Sequence, residues 1–492
     1  MSSPLYIQHV KIKNIDLLPW VFTFILYGVL LLAHGYVYGY GDQIDFMPYA
    51  VQVQQKMWYS GDFYIECMKG HLNERWFLVH ALALLPEITW PWAFFIIHLC
   101  TSVLLIRGLL QFGRYMKLAV WIQWAVIASS LIVLYHRNLG GNELYYNLVT
   151  PSLLAKAIGI WSLWYALNQS KWRAMACAVA AIYIHPVAGV QLFFLSLILI
   201  HGSGRIFFTI TTLLFTLPYL LPLYFQLDQV TNAPTLAEVM QLRNPHHFMP
   251  SHFGVFNALF LTPLFVVSTL LAYRINKDLF YSMSFILAGC VLYIVLLNFN
   301  PSLSYKNQWF KSTIWLTFFS ILILAKAVQN VRYNFYDNLS FRFKQLFALA
   351  FFICTFLISI RQSRFASYHF PWSALSEDQR TAIQAGALSR PDDVFLVPAD
   401  FTAFKYFAKR PTWVDWKAIP HQSSCLATWA AKIKLAYGLS TGYQGSLREI
   451  YNQSNQFLRR LSPQAKEELK SKGVDFIVFK PENELTYRIE KL

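Results

Sequence analysis

Long apolar runs, interrupted at short intervals by clusters of charged side chains, dominate the first three quarters of the chain. The run VFTFILYGVLLLAHGYVYGY after Trp20 and the run IWLTFFSILILAKAV from Ile314 approach or exceed the roughly 20 residues a helix needs to cross a bilayer core. Runs of this kind predict spans near 17–38, 91–110, 118–135, 151–168, 173–186, 187–201, 206–225, 254–273, 279–298, 309–329 and 345–361, about eleven in all. The two spans that meet at His185-Pro186 are each short for a full crossing, and one helix kinked at Pro186 is the alternative. Two spans are preferred, because only then do Arg205 and the basic run 326–344 share a side with the earlier basic connections.

After about residue 361 the pattern turns soluble. DDVFLVPAD (392–400), RPTWVDW (410–416) and GVDFIVFK (473–480) read as short strands, with helical stretches near 425–436, 446–458 and 463–472 between them. Ser462-Pro463 gives the last helix a cap with proline at its first position, and Gly473 closes it. The fold class is therefore an α-helical polytopic membrane protein, residues 1–361, carrying a small soluble α/β domain, residues 362–492.

Composition agrees with the pattern. Only 13% of residues are charged, against about 25% in soluble domains, and mean hydropathy is +0.38. The formal charge of +16 resembles that of a nucleic-acid binder, yet it follows from Lys and Arg in cytoplasmic loops, so no nucleic-acid partner is expected. Those loops hold Lys11 and Lys13, then Arg107, Arg114 and Lys117, then Lys171 and Arg173, then Arg205, then Arg274 and Lys277, then Lys326, Arg332, Arg342 and Lys344. The opposite connections hold Asp42, Asp45, Asp62, Glu66, Glu74, Glu143, Asp228 and Glu238. This asymmetry places the N-terminus in the cytoplasm and the C-terminal domain outside, as in a multi-pass protein of a bacterial inner membrane. Six cysteines without a CxxC pair or interleaved histidines argue against a zinc or disulfide framework; Cys100, Cys177, Cys290 and Cys354 fall inside apolar runs.

The candidate chemistry gathers on the outer side. The first outer loop, 40–75, opens GYGDQIDF, and the spacing of Asp42 and Asp45 puts both acids on one face of a helix. Such a pair can hold a divalent cation, Mg or Mn, or can orient and deprotonate a sugar hydroxyl. It can equally be a helix cap, with Asp42 at the N-cap and Asp45 at the third position. Arg75 is a phosphate clamp or an interfacial anchor paired with Glu74. Glu143 stands among Asn, Gly and Tyr residues suited to sugar hydroxyls, beside Gly140-Gly141, which also reads as a plain turn. Lys156 either snorkels to the interface or meets an anionic headgroup. His185 is a kink residue or a substrate contact; His246 and His247 lie in a rigid segment with two prolines, without metal-ligand spacing. Lys306 and Lys311 flank a span and are suited to phosphate. No Walker A loop, dinucleotide fingerprint, HExxH or GxSxG motif is present.

A long first span, an acidic outer loop at its exit, juxtamembrane helices and an outer C-terminal domain together resemble the GT-C superfamily of membrane glycosyltransferases. The Gly-Asp-Gln-Ile-Asp of 41–45 is the most specific point of likeness. The resemblance implies a polyprenyl phosphate or pyrophosphate sugar as donor, a glycan, lipid or protein as acceptor, and Asp42 or Asp45 as the catalytic carboxylate. The D-x-x-D spacing departs from the commoner adjacent or once-spaced acids and leaves metal use open. Two other classes remain. A transporter or flippase puts its ionisable groups near the bilayer midplane, whereas here they lie near span ends. A non-catalytic scaffold leaves the outer acids replaceable. The topology has a direct test: cysteines introduced at 45, 143, 247 and 415 should react with an impermeant label from outside, and those at 115, 275 and 335 should not. Outside labelling at 335 overturns the assignment of sides.

Overall fold

A computed structural model describes residues 17–135, 137–226, 236–336, 341–420, 422–440, 443, 445–482 and 486–492; Lys11, Lys13 and Asp228 of the topology argument lie outside the described residues. The chain opens with α1 (Leu17–His34) and a two-residue strand β1 (Gly35–Tyr36), then a 3₁₀ turn at Gly41–Asp45. Three short helices follow in the first long loop: α2 (Met47–Gln54), α3 (Phe63–Met68) and α4 (Trp76–Ala83). The apolar bundle continues with α5 (Trp90–Tyr115), α6 (Val120–Ala128, ending in a π turn at Ser129–Val133), α7 (Pro151–Leu167), α8 (Lys171–Ile184), α9 (Pro186–Leu199) and α10 (Gly204–Gln226). Two short helices, α11 (Leu236–Arg243) and α12 (Pro245–Phe248), lead to α13 (Val255–Ile275), α14 (Lys277–Phe299), α15 (Pro301–Asn307), α16 (Thr313–Tyr336) and α17 (Phe341–Ser363).

Proline at the first helical position, behind a side chain able to cap, punctuates this bundle. Thr150 accepts from the Leu153 N–H ahead of Pro151, His185 from Ala188 ahead of Pro186, and Asn300 from Leu303 ahead of Pro301. Each cap satisfies an N–H with no partner inside the helix, and each proline occupies a position whose N–H needs none.

Five helical stretches are long and apolar enough to cross a membrane: 87–115, 204–225, 255–275, 277–299 and 303–330. Helices also occupy the other six predicted segments, without meeting that measure among the described residues. At His185 the backbone is extended, so 173–201 is two helices rather than one kinked helix. They fold back on each other closely. A Cβ on Gly189 would sit 2.4 Å from the Ile182 Cα, so only glycine lets α9 approach α8 there.

The helix ends sort into two groups. At one end Tyr115 donates to Asp278 Oδ2 (3.0 Å), His201 Nε2 lies 3.2 Å from Asp278 Oδ1, and Gln329 donates to the Lys117 carbonyl (3.0 Å). The basic connections at 114–117, 171–173, 205 and 274–277 thus share that end. At the other end His34 Nε2 meets the Leu131 carbonyl (2.9 Å), Asn142 donates to the Lys311 carbonyl (3.2 Å) and Gln191 to that of Gln308 (3.0 Å).

Beyond Ser363 the chain forms β2 (Ser367–Tyr368), α18 (Glu377–Ala387), β3 (Phe395–Leu396), α19 (Phe404–Ala408), α20 (Ser423–Tyr437), α21 (Leu447–Arg459), α22 (Pro463–Ser471), β4 (Phe476–Phe479) and β5 (Arg488–Lys491). β3 runs parallel to β4, β4 antiparallel to β5, and β2 pairs in parallel with β1 at the exit of α1. The expected strand at 410–416 is not one: only Thr412 bridges Phe395. Phe395 pairs there with the Pro411 carbonyl and the Trp413 N–H, while the Thr412 N–H, on the far side, is taken by Asp62 Oδ2 at 2.9 Å.

That bond belongs to the seat of the C-terminal region on the first long loop. Lys405 Nζ donates to Asp62 Oδ1 at 3.0 Å and also pairs with Asp415; the Lys405 and Asp62 side chains are wholly buried and that of Asp415 nearly so. Thr412 Oγ1 bridges the two acids at 3.1 and 2.8 Å, and Asp62 also caps α3. One turn further on, a Cys67–Cys425 disulfide joins α3 to α20. This corrects the reading of the cysteines: there is no framework, yet the two cysteines outside apolar runs form a single bridge. Because removing one partner of a buried ion pair leaves the others uncompensated, Lys405→Met should cost about 3–5 kcal/mol. Denaturant unfolding of the detergent-solubilised, oxidised protein measures it; a loss below about 1 kcal/mol would show that the seat is solvated.

Candidate functional site

The 3₁₀ turn at Gly41–Asp45 completes one turn every three residues, so Asp42 and Asp45 leave it on one face. Neither is a cap of that turn, whose N-cap is Tyr40 with no side-chain bond, nor of α2, capped by Phe46. Both acids instead reach outward to cations. Asp42 Oδ1 lies 2.7 Å from Lys417 Nζ, and Asp45 Oδ2 lies 3.2 Å from Arg75 Nη2. Asp45 and Arg75 are largely enclosed, at 15% and 13% side-chain exposure, while Asp42 keeps 41%. Lys417 above all, then Arg75 and Arg243, hold the Asp42 carboxyl well below the usual carboxylate range, against the effect of its enclosure. Asp42 is thus the more accessible of the two acids.

The other predicted residues converge on this pair. Lys156, in the second turn of α7, donates to Asn142 Oδ1 (2.9 Å) and to the Glu143 carbonyl, and lies over the Tyr146 ring at 4.5 Å. Glu143, Lys311 and Asp42 are within electrostatic reach of it. Lys311, just before α16, is in reach of Asp42, Arg75, Glu143 and Lys417. His185 caps α9 with Nδ1 (3.2 Å from the Ala188 N) and faces the charges of Arg75, Lys311, Lys156 and Glu74. Nine of the ten residues singled out from the sequence therefore share one locus. Lys306 is the exception: its ammonium is directed at the Tyr224 ring, 4.5 Å away.

Gly140-Gly141 is more than a turn. A Cβ on Gly141, whose φ is +59°, would sit 2.6 Å from His246 and 2.7 Å from His247, and the Gly140 carbonyl meets His247 Nδ1 at 2.8 Å. The glycines let the histidine segment lie against the Glu143 loop. The His246 and His247 rings lie 4.1 Å apart, tilted by 41°. Burial pushes both imidazoles down, His246 to about 4, with Arg243 and Lys311 adding to the effect there.

Arg243, Lys417 and Glu74 were missed as site groups. Arg243 donates from Nε to the Trp416 carbonyl (2.6 Å) and stacks over that ring at 5.3 Å, which brings its charge beside Lys417 and in reach of both acids. A signal existed for two of them: Arg243 stands in the same QLRNPHHF segment as the histidines, and Lys417 directly follows the VDW run. Among the described residues no three His, Cys, Asp or Glu side chains converge on a metal-sized space. With Lys417 and Arg75 opposite Asp42 and Asp45, the pair faces ammonium and guanidinium groups rather than forming a cation cage.

Residues 381–436 match the family model of a domain of unknown function, DUF6798. The matched stretch contains Lys405, Asp415, Lys417 and Cys425, the residues through which the C-terminal region reaches the first long loop. No curated protein matches the chain.

The histidines give the site a pH signature. An unfolded histidine protonates near 6.5, whereas folded His246 does so at about 4. Between those values the unfolded state binds more protons, so this group makes stability rise with pH from about 4 to 6.5 and contributes no slope above. Melting temperatures between pH 4.5 and 7 should rise less steeply in His246→Gln than in the parent protein; equal slopes would mean that the imidazole titrates freely in the fold.

Proposed function

We propose that the protein is a membrane glycosyltransferase of GT-C type, transferring a sugar from a polyprenyl phosphate or pyrophosphate carrier to an acceptor hydroxyl at the outer membrane face. The observation that carries this reading is the convergence of one accessible carboxylate, Asp42, with the cations Arg75, Lys156, Arg243, Lys311 and Lys417 at one end of an apolar helix bundle. A lipid-linked phosphate travels at that depth. Few substrates other than a charged headgroup on an apolar chain need both a cluster of buried cations and a membrane.

The step follows from the charges. The acceptor oxygen attacks the anomeric carbon, its proton passes to Asp42, the bond to the carrier phosphate breaks, and the new negative charge falls among the lysines and arginines. Cations already fixed at that point stabilise the departing phosphate without reorganising. The base is Asp42 rather than Asp45 because it is the more accessible of the two acids; Asp45, bound to Arg75, holds that guanidinium toward the site. Glu143, His246 and His247 form the wall suited to sugar hydroxyls. The Cys67–Cys425 bridge supports an outward orientation, since disulfides persist in oxidising compartments. So does the gathering of the basic connections at the opposite end. A bacterial inner membrane, with cytoplasmic N-terminus, fits both. The likeness to GT-C enzymes leaves room for a divalent cation, but no part of the step requires one.

Purified protein incubated with a panel of polyprenyl-linked sugars should release carrier or glycosylate an acceptor, read by mass spectrometry. Asp42→Asn should lower turnover by about 10²-fold or more while leaving the protein folded. Folded and fully active Asp42→Asn and Asp45→Asn variants would sink the assignment. In a donor titration Lys156→Met, Arg75→Gln and Lys311→Met should each weaken binding by about 1.5–3 kcal/mol, the worth of a charge-assisted hydrogen bond. Unchanged affinity in all three removes the phosphate from this cluster.

A further inference from the structure

A cavity of about 520 Å³ lies between the start of α5 and the C-terminal region, lined among others by Ile88, Pro91, Phe370, Leu375, Ile383 and Phe407. None of the site acids or cations described above lines it. Its volume is that of a ligand pocket, and most of its polar side chains are already paired, His369 Nδ1 being the exception. Glu87 pairs with Lys409 at 2.8 Å, the Tyr38 and Tyr406 hydroxyls bond each other at 2.8 Å, Ser373 Oγ accepts from the Phe370 N–H, and Gln379 closes the capping box of α18. What remains to meet an occupant is apolar wall with a single imidazole nitrogen, that of His369. A sugar or peptide would find few bonding partners here; a hydrocarbon chain needs none.

The mouth adjoins an exposed apolar surface. Ile88 is 88% and Leu84 83% exposed, and they continue into Trp92 and Ile96 on the outward side of α5. A run of rings connects that surface to the cavity: Trp92 lies 5.6 Å from Trp372, which stacks at 4.9 Å on Phe370 in the cavity wall. Trp92 and Trp372 remain more than half exposed, the position in which tryptophans mark the membrane interface. Exposed apolar side chains of α5 therefore lead up to the cavity. The carrier's headgroup has no counterpart here, because the one lysine in the lining is neutralised by Glu87.

We propose that this cavity is a binding site for an acyl chain of a bulk membrane phospholipid, which fills the gap between α5 and the C-terminal region and steadies that contact. The proposal is independent of the glycosyltransferase reading. The test uses full-length protein in nanodiscs containing a phosphatidylcholine or a phosphatidylglycerol with a photoreactive diazirine near the end of one acyl chain, followed by peptide mapping. Peptides spanning 369–383 and 404–409 should be labelled with either headgroup, and excess polyprenyl phosphate should not compete. Ala374→Trp and Ile383→Asp, both at partly exposed positions, should lower that labelling about fivefold or more, while labelling of the exposed faces of α13 and α14 stays constant as an internal control for folding and insertion. Loss of labelling to polyprenyl phosphate would overturn the proposal in favour of the carrier chain. Labelling of 369–383 no stronger than background, or unchanged in both variants, would overturn it outright.

Discussion

Everything at the candidate site hangs on a single buried ammonium. Lys405 lies between Asp62 and Asp415 with all three side chains out of water, so the first long loop and the C-terminal region cannot part without stranding charge in an apolar interior. Lys417, which reaches Asp42, stands only two residues beyond Asp415 and inherits its position from that anchor. The Cys67–Cys425 bridge closes the same contact from the other side. Two segments more than 340 residues apart in sequence are thereby held to the tolerance that an ion pair demands.

The site itself balances nearby acids against cations and leaves the cations slightly ahead. Asp42, Asp45, Glu74 and Glu143 stand with Arg75, Lys156, Arg243, Lys311 and Lys417. Charges withdrawn from water persist only with partners, and here the partners were drawn from loops that meet at one end of the bundle. The surplus favours an anionic visitor. Asp42 keeps more access to solvent than Asp45, so a carboxylate that its cations hold firmly ionised is also one a substrate can touch.

Much of this was legible in the sequence, for physical reasons. Apolar period and length located the bundle helices, and Pro186 marked where one of them begins. Carboxylates, lysines and histidines near span ends marked the site, since ionisable groups beside a bilayer need a reason to be there. What escaped was pairing across distance. Asp62 read as one more loop acid, Thr412 as a strand residue and Cys67 as a lone thiol, because their partners lie more than 340 positions away and nothing local announces them. Lys306 misled for the converse reason: its neighbourhood resembles that of Lys311, but the short α15 directs it to Tyr224.

The hairpin of α8 and α9 bears on the bilayer as well as on the protein. Each arm has fourteen residues, a rise of about 21 Å, against a hydrocarbon thickness of about 30 Å. Its tip is His185, within reach of the site charges, so on the rise of an α-helix each arm is roughly 9 Å short of that thickness. Were the hairpin to lie in a bilayer, the lipid beside it would thin or water would fill the difference, and the site at its tip would be mechanically coupled to the thickness of the surrounding membrane.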